Sequence, residues 1–141
     1  MKKTIIYIIA GILVIFAVVG IITFLSGTPQ NPPVVQEPAW DSPQTRALAK
    51  RACFDCHSNE TVWPWYSRLI PAAWLIKRDV SEGRSRLNFS DWQPGRMETG
   101  EIGEVLAEGE MPPFYYVWMH PNAKLTQAEK EALAQGLNAL K

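Results

Sequence analysis

The sequence predicts an all-α chain of 141 residues, one apolar helix of membrane length followed by a helical domain of about 100 residues. Three observations predict it. Residues 5–25 form an uncharged run built almost entirely of Ile, Val, Leu, Phe, Ala and Gly. Downstream, apolar residues recur at helical spacing, and strand-like alternation appears nowhere. At the head of the domain stands Cys53-Phe54-Asp55-Cys56-His57, two thiols three positions apart with an imidazole directly behind. That is the spacing of c-type haem attachment.

The chemistry explains the spacing. Two cysteines on one helical turn match the two haem vinyl groups, to which they add as thioethers. The next residue, His57, then lies beneath the ring, where a neutral imidazole nitrogen takes one axial position on the iron. These are the only two cysteines, so the assignment has no competing thiol. A redox dithiol would want a thioredoxin-like βαβ pattern, which the sequence lacks. A closed zinc site wants four ligands, and beyond the motif the chain offers only His120 as a further histidine.

In chain order, residues 1–4 are a short basic cytoplasmic tail and residues 5–25 a transmembrane anchor. About 20 helical residues cross a hydrocarbon core of roughly 30 Å. A cleaved signal peptide is the alternative, but its apolar region is typically only about 7–15 residues and ends in a small-x-small site, which Phe24-Leu25-Ser26-Gly27 does not resemble. Lys2 and Lys3 on the cytoplasmic side orient the rest of the chain outward, to the periplasmic or other extracytoplasmic face of the cell membrane. Residues 26–42 carry Pro29, Pro32, Pro33 and Pro38 and read as a Pro-rich linker, an extended stalk; the alternative is an ordered arm lying on the domain, its end packed through Trp40.

Residues 43–141 form the haem-binding domain. Ser42 caps and Pro43 opens a first helix that runs into the motif and sets Cys53 and Cys56 on one face. Trp63, Trp65 and Tyr66 follow, with Pro64 among them; Trp63 and Trp65 are candidate walls of the haem pocket or ordinary core aromatics. Pro71 opens a second helix to about Gly83. Arg84 and Arg86 follow, candidates for haem propionates or for plain solvation. Arg96 to Glu108 reads as a third helix, whose carboxylates, with Glu110, form a solvated face or a docking patch for a basic redox partner. Met111-Pro112-Pro113 is a stiffened loop suited to the second axial position, and Met111 is the first candidate ligand there. His120 is the alternative; Met97 and Met119 are rivals, and an open position is a further possibility. Met/His ligation raises the reduction potential relative to two imidazoles. Thr126 to Glu129 is a capping box, and the final helix runs to about Leu140 with Ala132, Leu133, Leu137 and Leu140 facing the helix before the motif.

Overall charge is balanced at 14 basic and 14 acidic side chains; without Lys2 and Lys3 the outward part has 12 against 14, about −2. No basic stripe points to nucleic acid. No acid/base constellation or triad spacing points to an enzyme with a small-molecule substrate.

The order of helix, Cys-x-x-Cys-His, methionine-proline loop and C-terminal helix resembles the class I cytochromes c. CFDCHSNETVWPWYS from Cys53, EGRSRLNFSDW from Glu82 and EMPPFYYVWMHPNAKLT from Glu110 more closely resemble the haem-binding domain family of small exported bacterial proteins. The resemblance covers nearly all of residues 43–141, and its CHSN, WPWY, LNFS and MPP pieces are specific together. It implies one covalent haem c, thioether attachment at Cys53 and Cys56, and His57 as proximal ligand; the wider cytochrome pattern implies Met111 as distal ligand. The expected function is a membrane-tethered electron carrier serving redox partner proteins. A haem-based ligand sensor with an open distal site and a peroxidase-like or oxidoreductase subunit are the rival expectations.

Overall fold

The structure is a computed structural model that describes residues 2–25, 27, 29–93 and 102–140. Its described part is helical, with no strand among the described residues beyond one isolated parallel bridge between Gln36 and Asp91. Two compact units are present, Met1–Gln30 with Trp63–Asp79, and Asn31–Val62 with Val80–Lys141.

In the first unit, helix α1 spans Lys2–Leu25, 24 residues whose most apolar 18-residue window has a mean hydropathy of 3.2, with no side chain buried by protein. At 1.5 Å per residue it is about 36 Å long, enough by length and composition to cross a membrane. A 3-10 turn follows at Trp65–Arg68, held by Ser67 N–H to the Pro64 carbonyl (2.9 Å). Helix α4, Ala72–Arg86, begins in this unit and ends in the second.

The second unit holds the core. Helix α2, Pro43–Ala52, starts where Ser42 accepts from the Thr45 N–H and proline occupies the first turn. It does not run through the motif as expected: Cys53 leaves helical geometry at φ −123°, and a separate turn, α3, Phe54–His57, follows. Helix α5 spans Ile102–Glu108; the expected start of that helix from Arg96, together with Met97, lies outside the described residues. Helix α6, Phe114–Met119, was not expected, because a six-residue apolar run beside prolines carries no helical period. Helix α7, Gln127–Asn138, opens on the reciprocal capping box of Thr126 and Glu129. It packs on α5 and α2; Leu133 and Leu137 within it and Leu140 just past its end are buried, as the spacing predicts.

Phe54, Phe89, Trp40 and Trp92 form the aromatic centre of this core. Phe89 is fully buried, with ring centroids at 5.5 Å from Phe54, 5.2 Å from Trp40 and 6.3 Å from Trp92. Helix α4 passes beyond its expected end at Gly83 because nothing breaks its ladder: the Leu87 N–H still bonds the Gly83 carbonyl at 2.9 Å. One glycine inside a helix costs only about 1 kcal/mol.

Over the second half of residues 26–42 the alternative reading, an ordered arm on the domain, describes the structure. The Asn31 amide donates to the Thr61 carbonyl (2.8 Å), and the Val35 and Gln36 N–H groups bond the Ser90 carbonyl at 2.8 and 3.1 Å. The Trp92 N–H returns to the Gln36 carbonyl (3.0 Å), and the Asn59 amide reaches the Pro33 carbonyl (2.8 Å). Residues 31–40 are thus an arm bound along the domain. Prolines remove donors but leave carbonyls, and here the domain supplies the donors.

The arm ends in an ion pair. Both Glu37 oxygens accept from the Arg46 guanidinium (2.8 and 2.7 Å), and the Trp40 indole N–H adds a third bond at 2.8 Å. The Arg46 bond chiefly holds the Glu37 carboxyl below its ordinary value of 4.5. A depressed carboxylate contributes stability above its unfolded value, and that stability is lost as pH falls below about 4.5 through its folded value. Glu37→Gln is therefore expected to flatten the fall in stability between pH 5 and 3 and to leave a deficit of about 1 kcal/mol or less at pH 7, since the pair is partly exposed. Urea unfolding across that range checks it.

Candidate haem site

Cys53, Cys56 and His57 lie on one turn. The Cys56 and His57 N–H groups both bond the Cys53 carbonyl, at 3.1 and 2.8 Å, so the break after α2 closes a tight loop that brings both thiols and the imidazole together. Both cysteines are free thiols and half-buried. Burial, with the neighbouring Cys56 adding to it, pushes the Cys53 thiol up to about 12. Redox dithiols have the opposite shift, a thiol lowered toward neutrality.

His57 is oriented from behind. Its Nδ1 lies 3.1 Å from the Leu87 carbonyl, which can only accept, so Nδ1 carries the hydrogen and Nε2 carries the lone pair. Burial lowers its pKa despite bonds to the Leu87 and Gly83 carbonyls, which keeps the ring neutral. A neutral imidazole whose far nitrogen is anchored to a backbone carbonyl is the usual dress of a metal-binding histidine. Two thiols on one turn and a preset imidazole fit a haem held at this motif.

Three contacts fix this geometry. Gly83 of α4 is buried against the motif so closely that a Cβ there would stand 2.5 Å from the Cys56 carbonyl oxygen. The Phe89 N–H donates to the His57 carbonyl at 2.8 Å. Behind them, the Ser90 hydroxyl accepts from the Asn59 N–H (2.9 Å), and the Asn88 side-chain amide donates to the Asn59 side-chain oxygen Oδ1 (3.0 Å) while its own Oδ1 accepts from the Ser90 N–H (2.9 Å). The CHSN and LNFS segments, separate in sequence, are therefore one hydrogen-bonded bracket under the motif.

The remaining predicted residues are placed as follows. Arg84 is engaged by protein, donating to the Ser58 carbonyl (2.8 Å), the Asn31 side-chain oxygen (2.9 Å) and the Thr61 hydroxyl (2.9 Å). Arg86 is exposed. Trp63 is half-buried; Trp65 is 76% exposed and sets its ring edge-on to Tyr66 at 5.7 Å. Met111 is 40% exposed on the loop ahead of α6, its N–H on the Val105 carbonyl at 3.4 Å. His120 caps the other end of α6, stacked on Tyr116 with centroids 4.3 Å apart. Its Nδ1 lies 3.1 Å from the Tyr116 carbonyl, the same anchoring that His57 has. Among the described residues no group of three or more His, Cys, Asp or Glu side chains is placed to hold a metal ion.

Sequence reasoning missed Tyr116 and Asp55. The Asp55 carboxylate, between the two cysteines, accepts from the Tyr116 hydroxyl (2.7 Å) and the Val62 N–H (2.9 Å). Burial first, then the Asp55 carboxylate, raises the Tyr116 pKa, so its hydroxyl stays a donor. Only the presence of a tyrosine within an apolar run could have signalled it.

The haem-binding domain family model matches residues 17–139, which is most of the chain. No curated protein and no solved structure matches it. A match of that extent, spanning the thiol pair, the anchored imidazole and the bracket beneath them, places the chain in the haem-binding domain family.

Proposed function

We propose that the chain is a membrane-anchored c-type cytochrome that carries single electrons on the extracytoplasmic side. The observation that carries this reading is the anchored imidazole of His57 directly behind two thiols on one turn. Cys53 and Cys56 would hold the haem as thioethers, and His57 would supply a nitrogen to its iron. The bound haem supplies one-electron chemistry at its iron. The protein's part is to fix the imidazole tautomer through Leu87, to keep the motif rigid through Gly83 and the Asn59–Asn88–Ser90 bracket, and to keep water from the proximal side.

Met111 is the proposed second ligand, on a loop stiffened by Pro112 and Pro113. One observation supports His120 as the alternative: its Nδ1 faces the Tyr116 carbonyl, which directs the ring lone pair to Nε2 as in His57. Helix α1 serves as the anchor, confining the domain near membrane redox partners and raising its effective concentration there.

The test is an optical spectrum of the full chain in detergent, matured in a host that attaches c-type haem, with Met111→Ala and His120→Ala alongside. The expected result is a low-spin haem that stays bound on denaturation. Its weak far-red ferric band is lost in Met111→Ala and kept in His120→Ala. The reverse pattern assigns His120. A high-spin spectrum favours an open site and a sensing or peroxidase-like role. Haem that washes out on denaturation overturns covalent attachment.

A further inference from the structure

We propose that Tyr116 is a positioning residue for the iron's second ligand, linking the dipeptide between the haem cysteines to the segment that carries both candidate ligands. This rests on the cytochrome reading above. Asp55 stands between Cys53 and Cys56 in the attachment motif. Its two carboxylate oxygens are divided: Oδ1 takes the Val62 N–H at 2.9 Å and Oδ2 the Tyr116 hydroxyl at 2.7 Å. Its own carbonyl takes the Thr61 hydroxyl at 2.7 Å, so the acceptor is fixed in place on the motif.

Helix α6 lies at the surface of the domain. None of its residues is fully buried, and Phe114 and Trp118, one turn apart, are 83% and 80% exposed. Met111 lies just ahead of this helix and His120 just behind it, so whichever of them binds, its reach is set by where α6 lies. The Tyr116 N–H bonds the Pro113 carbonyl (3.0 Å) and the Tyr116 carbonyl takes the His120 N–H (2.8 Å), which makes Tyr116 the node between the two. Its ring meets His120 while its hydroxyl meets Asp55. An internal ligand competes with a free one through its effective concentration, which falls when the link that holds its segment is cut.

The test is imidazole titration of the ferric full-length protein, with the reduction potential measured alongside. Tyr116→Phe removes the hydroxyl and keeps the ring against His120; Asp55→Ala removes the carboxylate that accepts from it. Each is expected to bind imidazole about tenfold tighter than the parent and to shift the potential, with the haem still attached. The double variant is expected to gain no more than either single one, because both cut the same bond. Affinities within twofold of the parent in both single variants, with haem attached, overturn the positioning role and leave the cytochrome reading intact. Fully additive gains also overturn it. A parent without covalent haem overturns both readings together.

Discussion

Gly83→Ala is expected to cost about 2 kcal/mol of stability and to cut covalent haem incorporation by at least half. The added Cβ would stand 2.5 Å from the Cys56 carbonyl oxygen and 3.0 Å from its carbon. Both are backbone atoms, so no rotamer relieves the clash, and α4 or the motif must move. Overpacking of this kind costs about 1–3 kcal/mol, and here it falls at the upper end because the obstacle is main chain. Alanine returns about 1 kcal/mol of helix propensity, which leaves a net loss. The displacement has a second effect. Leu87, one turn further along, supplies the carbonyl that anchors His57 Nδ1, so moving α4 off the motif loosens the imidazole as well. Urea unfolding of the apoprotein measures the first effect, and the ratio of haem absorbance to protein measures the second. A variant with unchanged stability and full haem content would sink the argument that α4 seats the motif through a missing side chain.

Phe89→Ala is expected to cost 3–5 kcal/mol, roughly the value for deleting a fully buried phenylalanine. Phe89 is wholly buried, and its ring is shared by Phe54, Trp40 and Trp92. Phe54 follows the first cysteine, Trp40 ends the arm, and Trp92 closes the segment after α4, so one cavity loosens three parts of the site's support. Against a total stability of about 5–15 kcal/mol, that loss leaves a large unfolded fraction at 37 °C. Phe89→Leu, which keeps most of the volume, is expected to lose less than half as much. Thermal unfolding followed by circular dichroism separates the two; equal losses would show that the ring contacts, and not the volume filled, carry the contribution of Phe89.

Much of the fold is legible in the sequence. The α1 run needed only length and the absence of charge, and α7 announced itself by its capping box and by leucines at helical spacing. Both signals are local: a cap is a four-residue pattern, and an apolar stripe is a periodicity. The extent of α4 and the break at Cys53 were misjudged, for a related reason. Gly83 reads as a helix end, but its missing side chain serves a contact with Cys56, 27 residues earlier in the chain. The α2 helix looked continuous because its residue types favour helix up to the motif, and nothing local marks the change at Cys53.

The motif's identity belongs to the sequence alone, because two thiols and an imidazole are set by which residues stand at which spacing along one turn. So does the family, through pieces that span residues 53 to 126. Tertiary structure decided the rest. It bound the arm of residues 31–40 to the domain, although its prolines read as a free spacer, because the donors that satisfy its carbonyls lie at Asn59 and Trp92. It turned Arg84 from a propionate candidate into a clamp on Ser58, Asn31 and Thr61. It gave His57 a defined tautomer through Leu87 and joined Asp55 to Tyr116, 61 positions away. A hydrogen bond between distant residues leaves no period and no spacing in the chain; it exists only once the core has brought donor and acceptor together.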